Sequence, residues 1–252
     1  MSESDSVEVV EGSSRERCRV SLTAVPAGAA VVHLVHPAGG SVACYRGLAG
    51  DLSPEVATAA FLPVALDGGV LDTDVESMAE RYLAEVPPGP LLLGGWSFGG
   101  LVAFEMARRL AAAGRATGPL LMIDTPLPGI GAVDDATIRV EFEAELSRMA
   151  GADGITAEER ATRFEVFRTH CLAQVAYQPP SQVTNDLVFI SRKDNQDAPR
   201  WQEHTTGRLR LRRFPADHYE LMRAPHVGAI TRFVKTTLTT SWKTSHEPNA
   251  DS

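Results

Sequence analysis

From about residue 17 the chain alternates short apolar runs with amphipathic stretches. Val31–Val35 (VVHLV) has the length and composition of a buried strand, stopped by Pro37 and Gly39. Ala60–Leu66 (AFLPVAL) is a second strand candidate, interrupted by Pro63, which has no N–H to give to a ladder. The stretch TDVESMAERYLAEV places Val75, Met78, Ala79, Tyr82, Leu83 and Val86 at helical spacing, opens with a capping box from Thr73 to Glu76, and closes at Pro87. PLLLGG (Pro90–Gly95) then predicts a strand, FGGLVAFEMARRLAAAG a helix closed by Gly114, and GPLLMID (Gly118–Asp124) another strand. Strands separated by helices need crossover connections, so the fold class is α/β, with a mainly parallel central sheet and helices on both faces.

After Asp124 the period changes. DDATIRVEFEAELSRMA sets Ile138, Phe142, Leu146 and Met149 on one side. A second capping box, Thr156 to Glu159, opens a helix bearing Phe164, Phe167, Cys171 and Val175. With no strand between them, the two helices read as an insertion over about residues 131–183. An insertion above the strand ends of such a sheet serves as a lid, or else thickens the edge of the domain. Strands resume with DLVFIS (Asp186–Ser191) and LRLRRF (Leu209–Phe214), and a final helix is predicted from Pro225 to Thr237. Without internal repeats or a low-complexity linker, residues 1–252 read as a single domain. Its polar termini, about 1–15 and 240–252, read as loose ends.

Composition narrows the function classes. Hydrophobic residues make up 44% of the chain and charged residues 22%, ordinary values for a globular protein. The net charge of −8 disfavours nucleic acid or an anionic membrane as partner and is compatible with a small or hydrophobic substrate. The densest basic run, RLRLRR (Arg208–Arg213), reads as an exposed strand face or, alternatively, as a patch for an acidic carrier protein. Cys18, Cys44 and Cys171 are too few and too scattered for a disulfide framework or a zinc site. No signal-type apolar segment opens the chain and no stretch approaches the length of a membrane span, which predicts a cytoplasmic protein.

The candidate chemistry centres on Gly95-Trp96-Ser97-Phe98-Gly99, a G-x-S-x-G pentapeptide between a predicted strand and a predicted helix. A sharp strand-to-helix reversal holds its serine in strained dihedrals at the top of the sheet, above a helix N-terminus that favours negative charge. A serine hydroxyl needs a base. Of the seven histidines, His218 in PADHYELM, after the last strand and before the final helix, is best placed to reach back over the sheet. His33 falls in a strand, His170 in an insertion helix and His246 in the tail. His36 ends a strand and shapes the loop after it, His226 is placed to cap the final helix, and His204 lies in a polar loop that leaves its role open. Asp124 and Asp194, each at the end of a strand after the serine, are rival carboxylates for orienting the imidazole; Asp217 beside His218 reads as a local cap. For an oxyanion, one N–H comes from Phe98 and the other from HPAGGS, where Pro37 lacks an N–H and Ala38 is the first donor.

Taken in order, HPAGGS, GGWSFGGLVAFEMARRL, LLMIDTPLPG and DHYELM resemble the thioesterase family of polyketide synthases and nonribosomal peptide synthetases, within the α/β-hydrolase superfamily, over about Val31 to Val234. The resemblance implies an acyl chain presented as a phosphopantetheine thioester on an acyl or peptidyl carrier protein, and no cofactor of the enzyme's own. It implies transfer to Ser97 and release by water or an internal nucleophile. Residue by residue it assigns Ser97 as nucleophile, His218 as base, Asp124 as the orienting acid, and the Ala38 and Phe98 amides as oxyanion donors. Release domains of the family use the earlier aspartate and stand-alone editing enzymes the later one, so GGWSFGG and LLMIDTPLPG resemble the release type. A carboxylesterase or lipase would share this machinery.

Overall fold

The computed structural model describes residues 17–26, 30–88, 91–115, 117–129, 133–149 and 154–246, with side chains to 237. Along the chain run β1 (Arg19–Ser21), β2 (Ala30–Val35), α1 (Arg46–Leu52), β3 (Val56–Phe61), α2 (Val75–Ala84), β4 (Leu92–Trp96), α3 (Phe98–Ala112), β5 (Leu120–Ile123), α4 (Asp135–Leu146), α5 (Ala157–Ala176), β6 (Leu187–Arg192), β7 (Leu209–Phe214) and α6 (His226–His246). The strands form one sheet in the order β1-β3-β2-β4-β5-β6-β7. All neighbours are parallel except β1, which runs antiparallel to β3 at one edge.

Both faces of the sheet are covered, and the pleat divides its side chains between two cores. On β5, Leu120 and Met122 face a layer containing Met78, Tyr82, Leu101 and Phe104 from α2 and α3. Leu121 and Ile123 face the opposite layer, with Leu48 and Leu52 from α1 and Ile230 and Val234 from α6. This continuous burial explains why the central strands read as unbroken apolar runs. At the far edge, β7 alternates half-buried Leu209 and Leu211 with exposed Arg210 and Arg212, and Arg210 pairs with Asp186 at 3.1 Å.

Three local expectations are corrected. The second strand is Val56–Phe61, not Ala60–Leu66. Every residue of VATAAF is buried, so neither face shows a polar alternation, and Pro63 lies beyond the strand as N-cap of the short 3-10 helix Val64–Asp67. At α2 the cap is Asp74 rather than Thr73: its Oδ1 accepts the Ser77 N–H at 2.7 Å, and an ionised carboxylate is a stronger acceptor than a hydroxyl. The final helix continues past Thr237 to His246, so residues 240–246, expected as part of a loose end, are helical. No Gly or Pro interrupts the sequence from Ala229 until Pro248, whose predecessor is biased against the helical conformation. The remainder of both loose ends lies outside the described residues.

Between β5 and β6 the chain builds α4 and α5. Asp134 caps the first, and the second carries the expected reciprocal box of Thr156 and Glu159. The pair owns a small apolar cluster, Ile138, Phe142, Leu146, Phe164, Phe167 and Cys171, against which Ala38 of the sheet domain packs. Its far end is anchored: Tyr177, just past α5, donates its hydroxyl to buried Glu105 on α3 at 2.9 Å, beside Arg108 and Arg109.

Candidate active site

The turn from β4 into α3 is forced by contact geometry. Ser97 stands at φ 56°, ψ −130°, with its N–H donated to the Ile123 carbonyl at 2.8 Å and its own carbonyl accepting from Gly100 at 3.0 Å. A non-glycine residue held at positive φ costs about 1–3 kcal/mol and persists only where its surroundings over-determine it. Here they do. A Cβ on Gly95 would collide with the backbone of Gly99, one on Gly99 with the carbonyls of Val35 and His36, and one on Gly100 with Thr125. The sequence GGWSFGG thus lets β4, α3 and β2 approach closely enough to hold the serine up. Phe98 is the first residue of α3, so its N–H has no partner within the helix.

Asp124 follows β5, also at positive φ (42°), with its N–H fixed on the Ile190 carbonyl at 2.7 Å. Its Oδ2 lies 2.7 Å from His218 Nδ1, while Oδ1 accepts from Asn195 Nδ2 at 3.0 Å. Arg192 Nε is 3.5 Å from Oδ2. Burial alone would push the Asp124 carboxyl up. The bonds from His218 and Asn195 and the nearby Arg192 charge outweigh that and hold it below the ordinary aspartate value. Because a carboxylate only accepts, the bond fixes a proton on His218 Nδ1 and leaves Nε2 as the free lone pair. The His218 ring stacks on Trp96, centroids 4.9 Å apart, and meets Tyr219 edge-on at 5.3 Å.

The loop after β2 closes as a turn in which Gly40 N–H donates to Pro37 O at 2.9 Å and Gly40 adopts φ 76°. His36 Nδ1 lies 2.8 Å from that same carbonyl and its Nε2 2.7 Å from the Tyr82 hydroxyl. A carbonyl can only accept, so the ring carries its proton on Nδ1, and complete burial keeps it neutral by pushing its pKa well down. Tyr45, fully buried, donates to Val35 O at 2.6 Å and accepts the Trp96 N–H at 2.8 Å, tying the ends of β2 and β4 together beneath the site. Among the described residues no hydrogen-bond acceptor takes the Ala38 or Phe98 N–H.

Ser97, Asp124, His218 and Ala38 line one cavity of about 500 Å³, roofed by Glu141, Ala144, Glu145 and Arg148 of α4 and its C-terminal turn and by Phe167, Cys171 and Gln174 of α5. A second chamber of about 500 Å³, with Ser41, Cys44, Met149 and Met222, shares Pro37, Trp96, Glu145, Arg148 and Tyr219 with the first. Glu145 stands over Gly39, where a Cβ would strike its carboxylate, and burial there pushes its carboxyl up to about 7. The rival Asp194 is exposed in the turn after β6, and Asp217 caps locally, accepting the Tyr219 and Glu220 N–H groups at 2.8 Å. His33 is buried in β2, His204 packs on Trp201, and His226 begins α6. Asn195, Arg192, Tyr45 and Glu145 were not singled out in the sequence; each acts through a tertiary contact that leaves no local pattern. Among the described residues no three His, Cys, Asp or Glu side chains gather as metal ligands, and no helix is long and apolar enough to cross a membrane.

Residues 31–238 match the Thioesterase domain family. Thioesterase TesA of Mycobacterium marinum is 28% identical over 233 residues, which covers 81% of this chain and 93% of TesA. The non-reducing polyketide synthase Dhc5 of Alternaria cinerariae is 35% identical over 106 residues, 41% of this chain, and the match spans only 5% of that synthase. Among solved structures, the surfactin-cyclising thioesterase domain SrfTE superposes with a TM-score of 0.70 at 22% identity, over 88% of this chain and 98% of that one. The type II thioesterase BorB of the borrelidin cluster gives 0.70 at 24%, over 88% and 97%. These structures share the fold.

Proposed function

The chain belongs to the thioesterase domain family, with the α/β-hydrolase fold and a relationship to polyketide and nonribosomal peptide thioesterases, and we propose that it takes an acyl chain from a carrier-protein phosphopantetheine thioester onto Ser97 and releases it by hydrolysis or cyclisation. One observation carries this reading: His218 donates to Asp124 at 2.7 Å, and both residues line the same cavity as Ser97.

In this reading His218 Nε2 takes the Ser97 proton as the hydroxyl oxygen attacks the thioester carbon. Asp124 keeps the other ring nitrogen protonated and stabilises the imidazolium that forms. Negative charge gathers on the former carbonyl oxygen, where the Ala38 and Phe98 N–H groups are the available donors and the α3 N-terminus adds its partial positive charge. Collapse of the tetrahedral adduct breaks the carbon–sulfur bond, and His218 returns the proton to the departing thiolate. Water, or a hydroxyl or amine of the acyl chain itself, then attacks the acyl-serine with His218 again as base.

Replacing Ser97 with Ala should lower turnover of acyl-N-acetylcysteamine thioesters by ~1,000-fold or more, since nucleophile removal in such triads costs several orders of magnitude. Turnover equal to the parent's would overturn the assignment. Parallel assays on the matching oxygen esters separate a thioesterase specialised for carrier-bound chains from a carboxylesterase. A second reading, editing of wrongly loaded carriers by a free-standing enzyme, draws support from the near full-length alignment with TesA. The bond that His218 donates to Asp124, the earlier of the two aspartates, favours the release reading.

A further inference from the structure

One side chain of the inserted helices touches both residues whose amides the proposed oxyanion site uses. His170, in the last two turns of α5 and 1% exposed, places Nδ1 2.7 Å from the Ala38 carbonyl. The flat of its ring lies on Phe98, centroids 4.9 Å apart and planes within 13°. Its other neighbour is His36, stacked at 4.8 Å, which itself grips the Pro37 carbonyl.

The Pro37 carbonyl and the Ala38 N–H belong to one planar trans peptide, so a donor that fixes the first fixes the direction of the second. His36 does this from the upstream side and His170 holds the next peptide plane by the Ala38 carbonyl. Together they leave the Ala38 N–H little rotational freedom. Both rings are kept neutral by burial, His170 at about 4, so neither adds a charge beside the oxyanion, and the carbonyl that each faces places its one proton on Nδ1.

We infer that His170 is a positioning residue for acyl transfer: by hydrogen-bonding Ala38 and stacking on Phe98 it makes the oxyanion site a joint product of the sheet domain and the inserted helices. The inference rests on the function proposed above. It also gives the insertion a part in the chemistry, because displacing α5 would release the loop that carries Ala38.

Asparagine and glutamine separate the hydrogen bond from packing. The amide nitrogen of Asn stands at the same distance along the side chain as His Nδ1, and that of Gln matches Nε2. We expect His170→Ala and His170→Gln to lower kcat on an acyl-N-acetylcysteamine thioester by ~10-fold or more, less than the loss of an oxyanion donor outright, with KM within about twofold. His170→Asn should recover most of the loss. Parental kcat in His170→Gln, a defect confined to KM, or equal kcat in the Asn and Gln variants would each overturn the inference. Should the Ala variant fail to fold, the comparison of Asn with Gln decides alone. Ser97→Ala run alongside separates the two levels. Activity there would sink the proposed function, whereas an inactive Ser97→Ala beside a fully active His170→Gln would sink only the role of His170.

Discussion

The strand-to-helix turn at Ser97 and the inserted helices above it are built on opposite terms. Around the serine, backbone meets backbone: Gly95 against Gly99, Gly99 against Val35 and His36, and every residue from Leu92 to Trp96 buried. The insertion has a six-residue apolar cluster of its own and exposed ion pairs such as Arg168 with Asp135. It joins the sheet domain through few directed contacts, chiefly His170 to Ala38 and Tyr177 to Glu105. Exposed pairs contribute little, about 0–1 kcal/mol each. Ser97 and its proposed partners therefore sit on closely packed backbone, whereas the cavity roof is tied down by fewer directed contacts.

That contrast is broken most sharply by changes on the sheet side. Asp124→Asn replaces an acceptor-only carboxylate by an amide whose NH2 can face His218 Nδ1 and so permits the wrong tautomer, and we expect kcat to fall by about 10⁴-fold with the fold intact. Steady-state kinetics with circular dichroism on the same sample checks it. If Asp194→Asn gave the larger loss instead, the assignment of the acid would pass to the turn after β6. Gly99→Ala comes next. Its Cβ would meet the carbonyls of Val35 and His36, backbone atoms that cannot step aside without separating β2 from α3, so we expect a loss of several kcal/mol in urea unfolding, within the range of overpacked cores. A parent-like midpoint would show the turn to be more pliable than its contacts imply.

Much of the sheet side was legible in the sequence because its constraints are local. A glycine two residues before a serine and another two after, between an apolar run and an amphipathic one, specify a tight strand-to-helix turn. The crossover order follows from counting periods. Where the signal is a pattern match alone, the reading slips: the Thr73-to-Glu76 box marks the cap one residue early, and the Asp74 carboxylate takes the Ser77 N–H instead. VATAAF lacked a polar face to mark it, and the three-residue β1 lacked length. The insertion's two helices were equally plain, yet what they do at the site was not. His170 and Glu145 sit at ordinary helical positions, and their meaning comes from Ala38 and Gly39, more than a hundred residues earlier in the chain.

Smaller effects should belong to the insertion. Tyr177→Phe removes one donor from buried Glu105 while Arg108 and Arg109 stay in place, at a cost of about 1–2 kcal/mol. Hydrogen exchange should show the C-terminal turns of α5 opening more readily, with α3 unchanged. Equal acceleration in both helices would mean that the two regions unfold as one and that the contrast is false.

Glu145 offers the smallest and most specific test, because its sign can be worked out. Its carboxyl, desolvated over the loop at Gly39, is raised from 4.5 to about 7; Glu141 adds to the rise and Arg148 opposes it. Below about 4.5 both folded and unfolded chains keep the proton, and the residue is neutral toward stability. Between 4.5 and 7 the unfolded chain gives up a proton that the folded one retains, so this residue's contribution to stability falls as pH rises and levels off above 7. Glutamine cannot ionise and escapes the penalty. Thermal melts of Glu145→Gln and the parent should therefore diverge as pH is raised from 5 to 8, the variant becoming relatively more stable. A constant difference across that range would mean that the carboxylate is already solvated in the folded state. The penalty attaches to α4 resting on the loop at Gly39, since lifting the helix would hydrate the carboxylate. The pH at which the melts separate thus reports on the closed insertion, not on the sheet beneath it.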